Sequence, residues 1–459
     1  MWTWSLYHLA MSILFFVLFI TMVFLSRGRR PIANILAWLF FMFLIPYVGV
    51  PLFIILGQRK LYWVLRKKRT MKQRHLASPS PHQKPVEVLL DTFGASPSSH
   101  SNSLEFFTTG DRAKTAILAE INAAKESILI STYILKNDSV GQEIMNALIR
   151  KAEEGLFICL LLDTVGSLLM YPRHLAKLFK KAGGKLRFIM PLFHTPFRGH
   201  INLRDHRKMM IFDSKHALLG GMNLAEEYLT NSPTAWLDMI CLIKGPAVED
   251  ILYIFQSDWQ FAASSEPGNY YCEFNPEEKN SGKASVQILP SGPDTIGDRI
   301  YDAFLNAIYQ AKESITILTP YFILDDNLQK AFLIALRRGV KVNIIVPEFS
   351  NHPIADLVRA ISLRKLSHQG ASVFLYPKMS HAKLFIFDHD IAIFGSANAD
   401  LRSLLLNFEI SCFVYSSAEI SALKEWLDTI KATCKTTLPP QTRFRMFLED
   451  AAQLVKPLL

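Results

Sequence analysis

The stretch His206-Arg207-Lys208-Met209-Met210-Ile211-Phe212-Asp213, trailed by Gly220-Gly221-Met222-Asn223, decides the reading of this chain because it is written twice. The second copy runs His381-Ala382-Lys383-Leu384-Phe385-Ile386-Phe387-Asp388 and is trailed by Gly395-Ser396-Ala397-Asn398. His, Lys, Asp, Gly and Asn recur with the same internal spacing, displaced by 175 residues (206 to 381). Short continuous apolar runs such as MMIF and LFIF are expected of buried strands. Side chains two apart in a strand share a face, so His206 and Lys208 point the same way, as do His381 and Lys383. An imidazole and an ammonium on one face can meet the same phosphate, the first as nucleophile, the second as a positive donor. The doubled pattern points to phosphodiester chemistry.

Asp213 and Asp388 complete each copy. They lie an odd number of residues from their His, at a strand end before a reversal, which favours a turn or scaffolding role. Asn223 and Asn398 stand where a Gly-lined turn enters a helical pattern. Both an N-cap and a phosphate contact fit them; Ser396 and Arg402 are weaker additions. An attacking imidazole needs its other nitrogen held in the right tautomer, usually by a carboxylate. Candidates lie in the next strand of each half, Asp238 in WLDMI and Glu409 in NFEIS. A carboxylate in an otherwise apolar strand is costly unless paired, and a structural salt bridge is the competing explanation. The remaining histidines, such as His174, His194, His216, His352 and His368, have no matched partner in the other half.

The pattern around the motifs repeats too. Helical periodicity over 113–124 leads through Ala-Lys-Glu-Ser-Ile into ILISTYIL; later the same Ala-Lys-Glu-Ser-Ile leads into TILTPYFIL. Helices follow over about 141–154 and 327–338, then apolar strands ending at Asp163 and Pro347. Strands alternating with such helices argue an α/β fold with a largely parallel sheet. The polar stretch 264–283 reads as a hinge between duplicated domains at 105–263 (motif core 200–227) and 284–456 (motif core 375–402).

The N-terminal region differs in kind. Residues 6–25 carry no formal charge apart from a titratable His8, and 32–56 carry none. Each matches the about 20 apolar residues a membrane crossing needs, so two transmembrane helices are expected. Pro46, Gly49 and Pro51 predict a kink or break in the second. A signal peptide fits poorly, because there is no basic leader and no small-x-small cleavage site before Ser26-Arg27-Gly28-Arg29-Arg30. Residues 57–104 read as a basic juxtamembrane segment and a Ser/Pro-rich tether holding one strand at 86–90. The arginines and lysines between Arg59 and Arg74 should stay cytoplasmic, which places the catalytic body on that side. They also suit an anionic membrane surface, as does the formal net charge of +10. The basic excess sits beside the apolar segments rather than the motifs, so nucleic acid is not the expected partner. Five cysteines are scattered singly with no metal-ligand spacing, consistent with reduced thiols.

The paired HxKxxxxD motifs with trailing Gly-x-x-Asn resemble the phospholipase D superfamily. Nearly the whole chain is similar to bacterial cardiolipin synthases: the two apolar segments, the phrases ISTYI, LLLDTVGS and TPYF, FRGHINLRDHRKMMIFD around the first motif, and the terminal Pro457-Leu458-Leu459. The resemblance implies duplicated domains sharing one active site. His206, Lys208, Asp213, His381, Lys383 and Asp388 form the catalytic set, with Asn223 and Asn398 on phosphate and Asp238 and Glu409 orienting the imidazoles. By the same analogy His206 is the nucleophile and His381 the acid. No metal or other cofactor is required, since the lysines and an imidazolium supply positive charge. The implied activity is phosphatidyl transfer between two phosphatidylglycerols in the bacterial cell membrane. The alternatives are a hydrolase of membrane phospholipids, a membrane-tethered nuclease, or a non-catalytic scaffold binding anionic lipid.

Overall fold

A computed structural model describes residues 2–25, 39–45, 47–49, 83–190, 203–262, 281–453 and 456. Most of the expected second span at 32–56, the basic segment to residue 82, the hinge over 264–280 and the opening of the first motif core fall outside the described residues. The chain divides into two units, Met1–Tyr62 with Pro191–Leu203, and Trp63–Met190 with Arg204–Leu459.

In the first unit one helix covers Trp2–Leu25, and residues 39–44 and 47–49 are helical. The Tyr47 ring meets Phe15 edge-on at 6.0 Å and lies 6.2 Å from His8. The side chains described along the helix are those of 4–17 and Ile20. Among the described residues no helix is long and apolar enough to cross a membrane.

The second unit is built on one 14-stranded sheet. Its first half comprises β1 (Ser99–Phe107), β2 (Ser127–Thr132), β3 (Phe157–Asp163), β4 (Lys185–Ile189), β5 (Met209–Phe212), β6 (His216–Gly220) and β7 (Ile240–Lys244). Its second half comprises β8 (Ala284–Ser291), β9 (Ser314–Leu318), β11 (Lys341–Pro347), β12 (Ser372–Tyr376), β13 (Leu384–Phe387), β14 (Ile391–Gly395) and β16 (Glu409–Val414). The short β10 (Phe322–Ile323) and β15 (Ala399–Asp400) pair separately. From the outside inward the halves read β4-β3-β2-β5-β6-β7-β1 and β12-β11-β9-β13-β14-β16-β8, the same order twice. They join where β1 pairs antiparallel with β8 across a register shift.

The sheet is mixed, which corrects the largely parallel expectation. Within it only β2–β3, β3–β4, β9–β11 and β11–β12 run parallel. Those pairs are the ones linked by crossover helices such as Ser139–Glu153 and Asp326–Arg337. The motif strands β5 and β13 instead lie antiparallel to both neighbours, because a tight turn at Asp213 or Asp388 returns the chain at once. Alternation along the strands fixes the faces. Ile128, Ile130, Leu160 and Leu162 join the core under helices Gly110–Ala123 and Ser139–Glu153. The intervening residues face the side where helix Ala247–Ala262 packs on β4 and β5.

The expected tether also changes. The run at 86–90 is helix, not strand: Pro85 opens a helix to Thr92, and the Glu87 carboxylate accepts from the Lys84 N–H at 2.8 Å. Proline at a first helical position and a carboxylate three residues past the cap are helix-start signals. Val86 and Leu90 are buried in the core of the second half, while β1 pairs with both halves. This segment therefore ties the halves together.

Candidate active site

Each His-x-Lys triplet sits on the approach to its strand, and each approach runs beside a segment of the other half. The His206 N–H donates to the Phe408 carbonyl at 2.9 Å, and the Phe408 N–H donates to the Arg204 carbonyl at 3.0 Å. In the mirror arrangement the His381 N–H donates to the Leu237 carbonyl at 2.6 Å, and the Leu237 N–H to Met379 at 2.9 Å. Phe408 and Leu237 immediately precede Glu409 and Asp238. The backbone thus carries each carboxylate to the imidazole of the opposite half.

The side chains complete the exchange. His206 Nδ1 lies 3.1 and 3.2 Å from the two Glu409 oxygens. His381 Nδ1 lies 2.7 Å from Asp238 Oδ2. Both acids and the His381 ring are buried, and the His206 side chain is 13% exposed. A carboxylate facing Nδ1 holds the proton there and leaves Nε2 with a lone pair for chemistry. Tyr133 packs edge-on against His206 at 5.0 Å, and Tyr228 against His381 at 5.0 Å, with Trp236 at 5.8 Å.

The lysines lie with them. Lys208 Nζ donates to the His206 carbonyl at 2.9 Å and stands over the Tyr133 ring. Lys383 Nζ lies 2.8 and 3.0 Å from the two ring nitrogens of His381. Burial lowers the pKa of Lys208 to about 8 and of Lys383 to about 7 against the pull of nearby acids. Burial also lowers both imidazoles, assisted at His381 by Lys383 and opposed at His206 by Glu409. Burial pushes the two acids up, yet their histidine and lysine neighbours bring them net below the usual carboxylate range. The groups of the two halves act on one another: Lys383 bears on His206, and Lys208 on His381. This is a buried cluster of neutral imidazoles, ionised carboxylates and readily discharged ammoniums, suited to receiving one anionic group.

Asp213 and Asp388 do not join this cluster. Strands β5 and β13 separate them from their histidines, roughly 13 Å of extended chain. The Asp213 carboxylate accepts from the N–H groups of Lys125, Glu126 and Ser127, and that of Asp388 from Lys312, Glu313 and Ser314. Both residues have φ of 51°, a left-handed conformation that Asp tolerates better than most. The placement corrects the catalytic grouping and matches the scaffolding alternative: each aspartate pins the start of the neighbouring strand.

Asn223 and Asn398 are both buried. Asn223 Oδ1 accepts from the Ile134 N–H at 3.2 Å, and Asn398 Nδ2 donates to Ser403 Oγ at 3.2 Å. Neither is an N-cap. Ala225 and Asp400 occupy those positions, and the helices they start span only Glu226–Leu229 and Leu401–Leu405. The preceding glycine is required by packing: a Cβ at Gly221 would lie 2.4 Å from Asp238 Oδ1. The matching Ser396 uses its hydroxyl to donate to Glu409.

Arg207 carried no assignment in the sequence because Ala382 matches it. It is wholly buried. Its guanidinium donates to Asp258 at 2.7 Å, to both Asp294 oxygens at 3.2 Å, and to the carbonyls of Ser291 and Glu409 at 3.1 Å. One planar fork thereby locks the first motif to helix Ala247–Ala262 and to the second half. Tyr133, Tyr228 and Trp236 also escaped the sequence reading, since aromatic residues at strand and helix ends are unremarkable without the fold.

A doubled mixed α/β sheet with two His-x-Lys approaches meeting at crossed carboxylates defines a phosphoryl-transfer protein of two fused half-sites. The chain matches the family described as "Cardiolipin synthase, PLD-like domain" over residues 117–259 and 304–431, and it belongs to that family. It is 31% identical over 478 residues to a cardiolipin synthase of Clostridium perfringens (strain 13 / Type A), covering 96% of this chain and 100% of that protein. It is 31% identical over 442 residues to the major cardiolipin synthase ClsA of Bacillus subtilis (strain 168), covering 91% of each. Among solved structures, the phosphatidylserine synthase of Haemophilus influenzae Rd KW20 shares the fold, with a TM-score of 0.62 and 17% identity over 78% of this chain and 95% of that one.

Proposed function

We propose that this protein is a cardiolipin synthase that moves a phosphatidyl group from one phosphatidylglycerol to another through a phosphohistidine. His206 Nε2 attacks the phosphorus and forms a P–N bond while the P–O bond to the departing glycerol breaks. His381 gives its proton to that glycerol oxygen. A hydroxyl of the second phosphatidylglycerol then attacks, yields its proton to His381, and breaks the P–N bond. Cardiolipin and glycerol leave, and both rings return to their starting states. An anionic phosphodiester opposes the depressing effect of Lys383 on His381 and so favours the protonated acid. Lys208 and Lys383, with Asn223 and Asn398, hold the non-bridging oxygens. Glu409 and Asp238 keep each ring in its tautomer. The sites of the two domains, 105–263 and 284–456, act as one.

The observation that carries this reading is the crossed pair of His–carboxylate contacts, which turns each Nδ1 to an acid of the opposite half and sets both imidazoles beside the two lysines in one cluster. Labelled phosphatidylglycerol incubated with the protein in vesicles tests it. Labelled cardiolipin with stoichiometric glycerol is the expected product. Phosphatidic acid alone would make the protein a hydrolase.

The membrane assignment belongs to the same proposal. Two transmembrane helices at 6–25 and 32–56 make this a multi-pass protein of the bacterial cell membrane, with its catalytic body cytoplasmic. Support comes from the helix Trp2–Leu25, where Trp4, Leu6, Leu9, Ile13 and Val17 are exposed, an arrangement costly in water.

A further inference from the structure

The large apolar side chains exposed on the second unit are unevenly placed. Leu169 is 85% exposed, Phe349 73%, Phe444 71% and Phe447 68%. Val165, Met170, Ile354 and Met446 are exposed near them in sequence, whereas elsewhere among the described residues of the unit only Leu178, Tyr253, Ile296 and Tyr309 are comparable. Two of the segments bearing the first group lead to the reaction site, and the third packs on one of them. Ser167 Oγ donates to the Tyr133 carbonyl at 2.8 Å, and the Tyr133 ring packs on His206, so Leu169 and Met170 follow directly from a residue bracing the first imidazole. On the other side the Tyr321 hydroxyl donates to Asn351 at 2.6 Å and its ring lies 5.5 Å from His352. Phe349 and Ile354 flank those two residues, and Tyr321 immediately precedes β10, whose Phe322 pairs with Ala399 next to Asn398. The third segment is the helix Arg443–Gln453. It packs on the helix Pro353–Ser367 through Glu449 with Arg364 at 2.7 Å and Gln453 with the Val358 carbonyl at 3.0 Å. A groove of about 480 Å³ between them is lined by Phe349 and Phe444 together.

We propose that these three segments form a rim around the mouth of the site that seats in the headgroup layer of an anionic phospholipid bilayer, independently of the N-terminal helices. The charge on the page selects that occupant. Arg443 and Arg445 alternate with Phe444 and Met446, and the helix Arg173–Lys181 following Met170 bears Lys177, Lys180 and Lys181. Exposed aromatic and aliphatic tips interleaved with basic side chains match an interface that is apolar below and anionic above. The inference rests on the proposal that the substrate is a bilayer lipid: such a rim brings the mouth to the phosphate plane, so a lipid need not leave the bilayer fully to reach the imidazoles.

The test uses the full chain in vesicles of phosphatidylglycerol and phosphatidylethanolamine, with the variants Phe444→Asp/Phe447→Asp and Leu169→Asp. The apparent KM, expressed as surface mole fraction of phosphatidylglycerol, should rise about tenfold or more while kcat stays within about twofold. Turnover of monomeric dihexanoyl-phosphatidylglycerol should stay within about twofold, which also shows that the variants fold. An unchanged surface KM would overturn the proposal, as would an equal loss on the monomeric substrate. A KM that depends on protein concentration rather than lipid would assign the surface to a second copy of the chain and overturn it too. If the parent chain makes no cardiolipin at all, the activity reading fails separately. The rim is then judged by whether vesicles, compared with detergent, slow hydrogen exchange of the 443–453 amides; no slowing sinks it.

Discussion

The two halves share strand order, motif spacing and even the aspartate clamp, yet they surround their imidazoles differently. His206 faces the longer Glu409, which also receives the Ser396 hydroxyl, and its neighbour Arg207 is anchored at Asp258 and Asp294. His381 faces the shorter Asp238, packed against Gly221, is crowded by Lys383, and has Ala382 where Arg207 would be. Duplication supplied the frame, and departures from it within a few residues of each ring give the two imidazoles different environments. Two chemical roles need such a difference.

The largest expected effect comes from removing either ring. His206→Ala and His381→Ala should each lower phosphatidyl transfer by about 10,000-fold, the upper end for a positioned acid–base group. An alkaline quench with phosphorus-labelled substrate should leave label on His206 in the parent chain. Label on His381 instead would reverse the comparison, and label on neither would break it.

Arg207→Ala tests whether the first half needs its extra anchor. It leaves Asp258 and Asp294 buried without their shared guanidinium, a loss of about 3–5 kcal/mol by denaturant unfolding. Arg207→Lys should recover little, since one ammonium cannot reach both acids and two carbonyls.

Crossing of the acids is tested by pairing variants. Glu409→Gln and Asp238→Asn should each cost about 10- to 100-fold in kcat, as second-sphere partners of a functional histidine do. Combined with His206→Ala, Glu409→Gln should add nothing. Asp238→Asn should likewise add nothing to His381→Ala. Additive losses in those pairs would contradict the exchange.

pH sharpens the comparison between the lysines. An ammonium is charged below its pKa, and Lys383 is brought down to about 7 and Lys208 to about 8. kcat/KM should therefore fall as pH rises through 7 to 8, and Lys383→Arg should move that alkaline limb upward. The smallest effect belongs to the far end of the motif. Asp213→Asn should cost about 1–2 kcal/mol through weakened charge-assisted hydrogen bonds, with turnover nearly unchanged. Three backbone N–H groups and Lys215 outweigh burial and hold Asp213 below its ordinary value. Its contribution is therefore present above the unfolded pKa and lost as pH falls through the folded one.

Much of this was legible in the residues. Strict repetition of His, Lys, Asp, Gly and Asn predicted two equivalent strands, and β5 and β13 are those strands. A carboxylate inside an apolar run singled out Asp238 and Glu409 because burial makes an unpaired charge costly. Which imidazole each acid meets was not legible, because that depends on how the β1–β8 junction turns one half against the other. Strand direction failed for a similar reason: alternation of helix and strand suggests parallel neighbours, but the motif strands return through tight turns. The helix at 85–92 was hidden because Val86 and Leu90 suit a strand or a helix equally until Pro85 and Glu87 are weighed as capping residues.

The crossed carboxylates bear on ancestry. A single unduplicated copy, with one His-x-Lys approach and one acid strand, has no partner for its own ring and becomes complete only when two molecules meet. Fusing two such copies into one polypeptide fixed the stoichiometry and freed each copy to drift, so that an arginine could settle in one and an alanine in the other.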